Sequence, residues 1–470
     1  MRRYRLQSAF LPQGWTRDAL VTVCDAGLIT DIDAAADDGD ATPGAERIDG
    51  IVIPGMANAH SHAFQRGMAG NTEYRLSSRD SFWTWRRAMY ALANRIEPDD
   101  LQTLASQLFI EMLKGGYTSV AEFHYLHRQR DATPYAGINA LWEAIGSAAS
   151  LAGIGLTFLP TLYQTSDFGG QALRAEQARF AFATDAFLRA IEERVSDERR
   201  GSGPHGAMRT QRTGAAFHSL RAVPLESLRE AALRLREFDA QMPVHIHVAE
   251  QVLEVKACVR ATGRRPVELL LDSGLLTPHW CLVHATHATA AELAGVAASG
   301  ASVCVSISTE ANLGDGFFDA VRFLKAGGRL CVGSDSQSTV SPSEELRWLE
   351  YQQRLRKKQR GVLASPTEPH VGTRLWRDAA QHGAQAIGQH AGAIEPGRRA
   401  DWVVLDPGHP SMLGAAADAA LDHLLFAGGD AAIRDVMVAG RWVIKDRRHA
   451  SEDAVLARCA ALLQRLAADV

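Results

Sequence analysis

Between residues 50 and 340, short apolar runs rich in β-formers alternate with longer stretches whose apolar residues recur at helical spacing. Eight runs read as strands: IVIPGMANAH, TSVAEFHY, GIGLTFLPTLY, AAFHSLRAV, PVHIHVAE, HWCLVHATH, ASVCVSIST and RLCVGSDS. Between them, LQTLASQLFIEMLKGG is a helix that stops at Gly115-Gly116, and ESLREAALRLREFDA and SEELRWLEYQQRLRKK carry the same periodicity. Strands alternating with helices predict an α/β protein built on a parallel, TIM-like (β/α)8 barrel, whose active site forms at the C-terminal strand ends.

The chain ends follow another pattern. Residues 1–55 hold short alternating runs such as YRLQSAFL, and residues 393–450 hold GAIEPGRRADWVVLDPG and DVMVAGRWVIKD, strand-like runs broken by Gly, Pro and Asp turns. The two ends are expected to meet in one small β-sandwich beside a barrel of residues 56–392, because chain termini commonly lie close together. Residues 451–470 form an amphipathic C-terminal helix. The polar, Gly/Arg-rich stretch 196–214 reads as a surface insertion, with a mobile lid as the alternative.

Composition narrows the function. With 46% apolar and 22% charged residues among 470, the chain is an ordinary globular protein. A net charge of -4 without a basic stripe argues against nucleic acid, and no apolar run reaches membrane-span or signal-peptide length. The six cysteines form no C-x-x-C pair, and Cys281, Cys304 and Cys331 fall inside apolar strands, the usage of a reducing compartment; a cytoplasmic location is expected.

The chemistry lies at the strand ends. His60-Ser61-His62 closes the first run, and residues two apart on a strand share a face. His247 and Glu250 close the fifth run, His284 the sixth and Asp335 the eighth. A single strand histidine is often a satisfied core residue, and Asp335 alone could be a turn or cap residue. Their repeated placement where apolar runs end favours a metal enzyme. His60, His62, His247 and Asp335 can converge on one ion; His245 has the same parity as His247, so spacing leaves either free to point inward. Glu250 suits a proton carrier, and His284 suits a hydrogen-bond donor to the attacked centre or a holder of the attacking water.

These residues resemble those of the amidohydrolase superfamily, and of its deaminase branch, which uses one zinc. The terminal β-runs also resemble that superfamily's composite β-sandwich. Strand 4, AAFHSLRAV, carries no lysine to bridge a second ion. A narrower likeness, to the branch that deiminates formimidoylglutamate, rests on HSHAFQRGMAG, DSFWTWRRAMY, EFHYLH, FHSLRAV, HIHVAEQ and TEANLGDGFF. The resemblance implies hydrolysis of N-formimidoyl-L-glutamate to N-formyl-L-glutamate and ammonia, a step of histidine degradation. It implies metal ligands His60, His62, His247 and Asp335; catalytic Glu250, His284 and Asp335; and substrate-binding Gln65, Arg86, Tyr125, His218 and Arg221. The implied cofactor is one Zn2+, with Fe2+ as the alternative. The partners are a small-molecule substrate and, since such barrels often pair, a second copy of the chain. Phe217 stands where the family pattern has proline, Gln337 where it has histidine, and CVSISTEAN replaces a Cys-Pro turn.

A substrate with two carboxylates needs two anion anchors, and guanidinium binds carboxylate through two parallel hydrogen bonds. Arg86 and Arg221 fit that need, while Trp83 and Trp85 read as packing. A related deaminase acting on a purine or another amidine-containing heterocycle would favour stacking aromatics and neutral amides instead. A metal-dependent amide hydrolase and a non-catalytic barrel with a structural metal are the remaining alternatives; Glu250 and His284 have no purpose in the last.

Overall fold

The computed structural model describes residues 1–34, 44–74, 82–135, 140–200 and 210–468. The strand runs form two sheets. Seven strands from both chain ends make the first: β1 (Arg2–Leu11), β2 (Gly14–Val23), β3 (Ile29–Asp33), β4 (Ala45–Pro54) and, from the far end, β14 (Trp402–Leu405), β15 (Ile433–Val438) and β16 (Arg441–Ile444), in the order β16-β15-β14-β4-β1-β2-β3. Its own core is small and mainly aliphatic, with Tyr4 edge-on to Trp402 at 5.5 Å between centroids.

The second sheet is the barrel: β5 (Met56–Ser61), β6 (Tyr117–His124), β7 (Gly155–Leu162), β9 (Ala215–Ser219), β10 (Val244–Val248), β11 (Trp280–His284), β12 (Ser302–Val305) and β13 (Arg329–Val332), in chain order and parallel, with the short β8 (Gln211–Thr213) beside β7. Closure comes through the backbone, where Asp335 N–H donates to His60 O at 3.0 Å and His62 N–H to Asp335 O at 3.2 Å. Gly333 permits that approach, since a Cβ there would lie 2.7 Å from His60 O.

One expected strand is two. IVIPGMANAH divides at Gly55, its first half pairing with β1 and β14 and its second with β6. A Cβ on Gly55 would lie 2.4 Å from Thr118 Oγ1, so only glycine lets the chain cross from sheet to barrel here. The run hid this break because both halves are buried and apolar.

The expected helices form. Pro98–Gly115 starts on a Glu97/Asp100 capping box and ends with Gly116 left-handed at φ 100°; the others span Leu225–Phe238 and Pro342–Lys357. The C-terminal helix Glu452–Ala468 is tied to the first of these by Lys114–Glu452 at 2.8 Å. Residues 201–209 of the polar stretch 196–214 lie outside the described residues, as does its reading as a lid; a helix runs into the stretch to Arg200 and β8 closes it. Five of the six cysteines are buried free thiols, and Cys24 is half-buried. No helix among the described residues is long and apolar enough to cross a membrane.

Candidate active site

At the C-terminal mouth of the barrel, β5, β10 and β13 bring His60, His62, His247 and Asp335 together, all buried, with their ligand atoms within 4.8 Å of one another. His60 Nε2 lies 3.0 Å from His247 Nε2 and 3.3 Å from Asp335 Oδ1; His62 Nε2 lies 3.4 Å from the same oxygen. Backbone carbonyls fix two of the rings. His62 Nδ1–H donates to Phe123 O and His247 Nδ1–H to His218 O, each at 2.8 Å. Each neutral ring then presents a lone pair on Nε2. Burial holds His62 down near pKa 3 and His247 well below its ordinary value, so both remain neutral. Lone pairs and a carboxylate facing one another across about 3 Å repel unless a cation lies between them. The donor set, three imidazoles and one carboxylate, suits a tetrahedral divalent ion.

His245 also points into the barrel, but one layer deeper, and Nε2 donates to Ala386 O at 2.9 Å. Depth, not parity, separates it from His247.

Glu250 and His284 flank the cluster. His284 Nε2 faces Asp335 Oδ2 at 3.7 Å and Glu250 Oε1 at 3.9 Å. Burial opposes its charged form, but Glu250, Glu310 and Asp335 outweigh this and hold the imidazole up at about 10. Burial pushes the Glu250 carboxyl up to about 7, against the pull of His284. Burial also works to raise Asp335, yet His60, His284 and His62 overcome it and keep the group below the usual carboxylate range.

The same cavity takes in the other sequence-predicted residues. Gln65, Arg86, Tyr125, His218 and Arg221 all line it. Gln65 Nε2 donates to Tyr125 Oη at 2.9 Å, which leaves Gln65 Oε1 buried without a partner. Arg221 is buried with Nε unpartnered; burial disfavours its charge, but Glu254 and Glu250 more than restore it. The Arg86 guanidinium sits 5.5 Å from the centre of the Tyr90 ring. Trp85, read as packing, also lines the cavity; the Trp83 side chain lies outside the described residues.

A protein-family model, "Amidohydrolase family", matches residues 51–443. The chain belongs to the amidohydrolase family. It is 48% identical over 450 residues, 95% of each chain, to a formimidoylglutamate deiminase of Pseudomonas aeruginosa. It is 27% identical to a 5-methylthioadenosine/S-adenosylhomocysteine deaminase of Halobacterium salinarum, over 91% of this chain and 90% of the other. A crystal structure of an amidohydrolase from Brucella melitensis superposes with a TM-score of 0.90 at 39% identity, covering 99% of this chain and all of that one. A zinc-bound adenosine deaminase from Xanthomonas campestris shares the fold at 21% identity with a TM-score of 0.80, over 99% and 98% of the two chains.

In this amidohydrolase, several residues in and around the cavity lie outside the sequence-predicted set. Gln177 Nε2 donates to Tyr90 Oη at 3.1 Å and Tyr163 Oη at 2.9 Å, and both tyrosines face the cavity. Tyr163 ends the third strand run, the position at which Tyr125 follows the second, so the strand-end rule could have found it. Glu254 accepts from Ala249 N–H at 3.1 Å and Glu250 N–H at 3.0 Å, fixing the turn that carries Glu250. The departures from the family pattern fall behind the site. Phe217 stacks on Trp280 at 5.8 Å, away from the cavity lining. Gln337 Nε2 binds Asp335 O at 2.7 Å and Ser61 Oγ at 3.0 Å, bracing two of the strand ends that converge on the cluster.

Proposed function

We propose that this amidohydrolase hydrolyses N-formimidoyl-L-glutamate to N-formyl-L-glutamate and ammonia. One observation carries the reading: two buried guanidinium groups, Arg86 and Arg221, open into the same cavity as a four-donor metal cluster flanked by Glu250 and His284. The 48% identity to a formimidoylglutamate deiminase over 95% of the chain supports it.

His60, His62, His247 and Asp335 would hold one divalent ion, zinc being favoured by the donor set over Fe2+; strand β9 has no lysine to bridge a second. Such an ion supplies Lewis-acid activation of water at neutral pH. The residues do the rest. Glu250, with a carboxyl titrating near 7, takes a proton from the attacking water and delivers it to the departing nitrogen. His284 Nε2–H and Asp335 Oδ2 flank the attacked carbon and hold the water and the developing tetrahedral centre. Gln65 Oε1 accepts an N–H of the amidine head, which its buried, unpartnered state prepares it to do. Arg86 and Arg221 grip the two carboxylates, with Tyr125 and His218 adding polar contacts. The C=N bond gains water, the C–N bond to the terminal nitrogen breaks, and ammonia leaves.

A cytoplasmic place in histidine degradation and pairing into a homodimer belong to the same reading. The test is ammonia release from N-formimidoyl-L-glutamate, measured beside guanine, adenosine and 5-methylthioadenosine. Turnover of the formimidoyl dicarboxylate alone is expected. Turnover of the purines with none of the dicarboxylate would transfer the protein to the heterocycle deaminases.

A further inference from the structure

Behind His284 stands a carboxyl group that the mechanism above does not use. Glu310 lies in the short helix Ile307–Leu313 that follows β12 and is wholly buried. Its Oε1 accepts from His284 Nδ1–H at 3.2 Å and from Ser306 N–H at 3.2 Å. The other oxygen, Oε2, has no partner. The helix is pinned to the far side of the site: Thr309 Oγ1 meets Ser336 Oγ at 3.0 Å and accepts from Ser336 N–H at 3.2 Å, next to Asp335. Glu310 therefore cannot drift away from His284 without loosening the β13 end.

An imidazole whose Nδ1–H is engaged presents Nε2 in one orientation, and here Nε2 faces Glu250 and Asp335. We infer that Glu310 is a positioning residue for the reaction: by accepting from Nδ1–H it sets the orientation in which His284 Nε2–H meets the substrate. The inference rests on the reading of His284 as a residue that touches the substrate. The arrangement is a histidine oriented by a buried carboxyl group, a relation that recurs on unrelated folds.

The two donors to Oε1 allow a discriminating substitution. In Glu310→Gln the amide oxygen must take the Oε1 position, because Ser306 N–H and His284 Nδ1–H both point there. The amide NH2 then falls at the Oε2 position, where nothing donates. Gln should therefore keep the imidazole in place. Glu310→Met keeps length and burial but removes the acceptor.

The test compares kcat, KM and metal content of the wild type, Glu310→Gln, Glu310→Met, His284→Asn and the double variant His284→Asn/Glu310→Met, all as full-length metal-loaded protein. Met should lower kcat by about a hundredfold or more while KM stays within about threefold, the pattern of a lost orienting contact. Gln should retain kcat within about tenfold of the wild type. In the His284→Asn background, Glu310→Met should cost nothing further, because the residue acts only through that ring. Full activity in Glu310→Met, an equal loss in Gln and Met, or a further loss in the double variant would each overturn the assignment. If Glu310→Met does not fold, a loss beyond a hundredfold in Glu310→Gln overturns it and a loss within tenfold supports it. Wild-type turnover of N-formimidoyl-L-glutamate reports on the proposed reaction separately; the ratios among variants report on Glu310 with whichever substrate the wild type uses.

Discussion

Replacing Arg221 with methionine separates binding of the substrate's charge from proton transfer, because in the proposed reaction this guanidinium serves both. It is buried in the turn after β9, its Nε has no partner, and it neighbours Glu254 and Glu250. A hydrogen bond to a charged group contributes about 1.5–3 kcal/mol, so losing the carboxylate contact should lower kcat/KM for the dicarboxylate by about ten- to a hundredfold. The same charge draws the Glu250 carboxyl down, opposing the burial that raises it to about 7. Without Arg221 the carboxyl rises further. A base that works as the carboxylate loses function as pH falls through its pKa, so the acid limb of the pH–rate profile should move to higher pH in the variant. The turn itself should persist, because Glu254 keeps its bonds from Ala249 N–H and Glu250 N–H. The assay is ammonia release from three compounds: N-formimidoyl-L-glutamate, the formimidoyl derivative of 4-aminobutanoate, which lacks the α-carboxylate, and that of 2-aminobutanoate, which lacks the distal one. The variant should lose most on the full substrate and on the one truncated compound that retains the carboxylate Arg221 holds. Equal losses on all three compounds, or an acid limb that does not move, would refute the assignment.

Other outcomes follow from the same geometry. Glu250→Gln should lower kcat by about a thousandfold while metal content and melting temperature stay unchanged, since the amide keeps the shape but carries no proton; near-normal turnover would remove Glu250 from proton transfer. Elemental analysis should find one divalent ion per chain, and chelation should abolish turnover until zinc is returned; two equivalents would reject the single-ion reading. Gln177→Leu should raise KM several-fold with little change in kcat, because Tyr90 and Tyr163 lose the amide that orients their hydroxyls; an unchanged KM would show that those hydroxyls do not meet the substrate. Arg399→Met should destabilise the protein by about 3–5 kcal/mol, seen in chemical denaturation, because it strands the buried Asp401 that Arg399 Nη2 meets at 2.5 Å; an unshifted midpoint would contradict this.

The barrel was legible because each strand is a short run buried on both faces, and such runs stand out against amphipathic helices. The division at Gly55 was not, since no polar residue marks the passage from one sheet to the other. The convergence of His60, His62, His247 and Asp335 was legible from residue type at strand ends. The choice between His245 and His247 was not, because two residues on one face differ only in depth along the barrel axis, which spacing does not encode. Gln177 and Glu310 escaped notice for another reason. They lie on short helices after β7 and β12 and reach the site through Tyr90, Tyr163 and His284, so their importance exists only once the chain has folded.

The backbone at the barrel mouth shows what this site costs the fold. Ala249, His284, Ala285, Asp335 and Gln337 all adopt positive φ, between 46° and 70°, and none is glycine. Each such residue costs on the order of 1–3 kcal/mol and persists only where its surroundings over-determine it. Here they do: Ala249 N–H is held by Glu254, Ala285 N–H by Val248 O, Asp335 N–H by His60 O and Gln337 N–H by Ser334 O. His284 and Asp335 face the axis, at the position where Glu250 and the histidine cluster can reach them. Glycine at 284 or 335 would relieve the strain but remove the side chains the proposed reaction needs, so in that reaction strain and function cannot be separated at these positions.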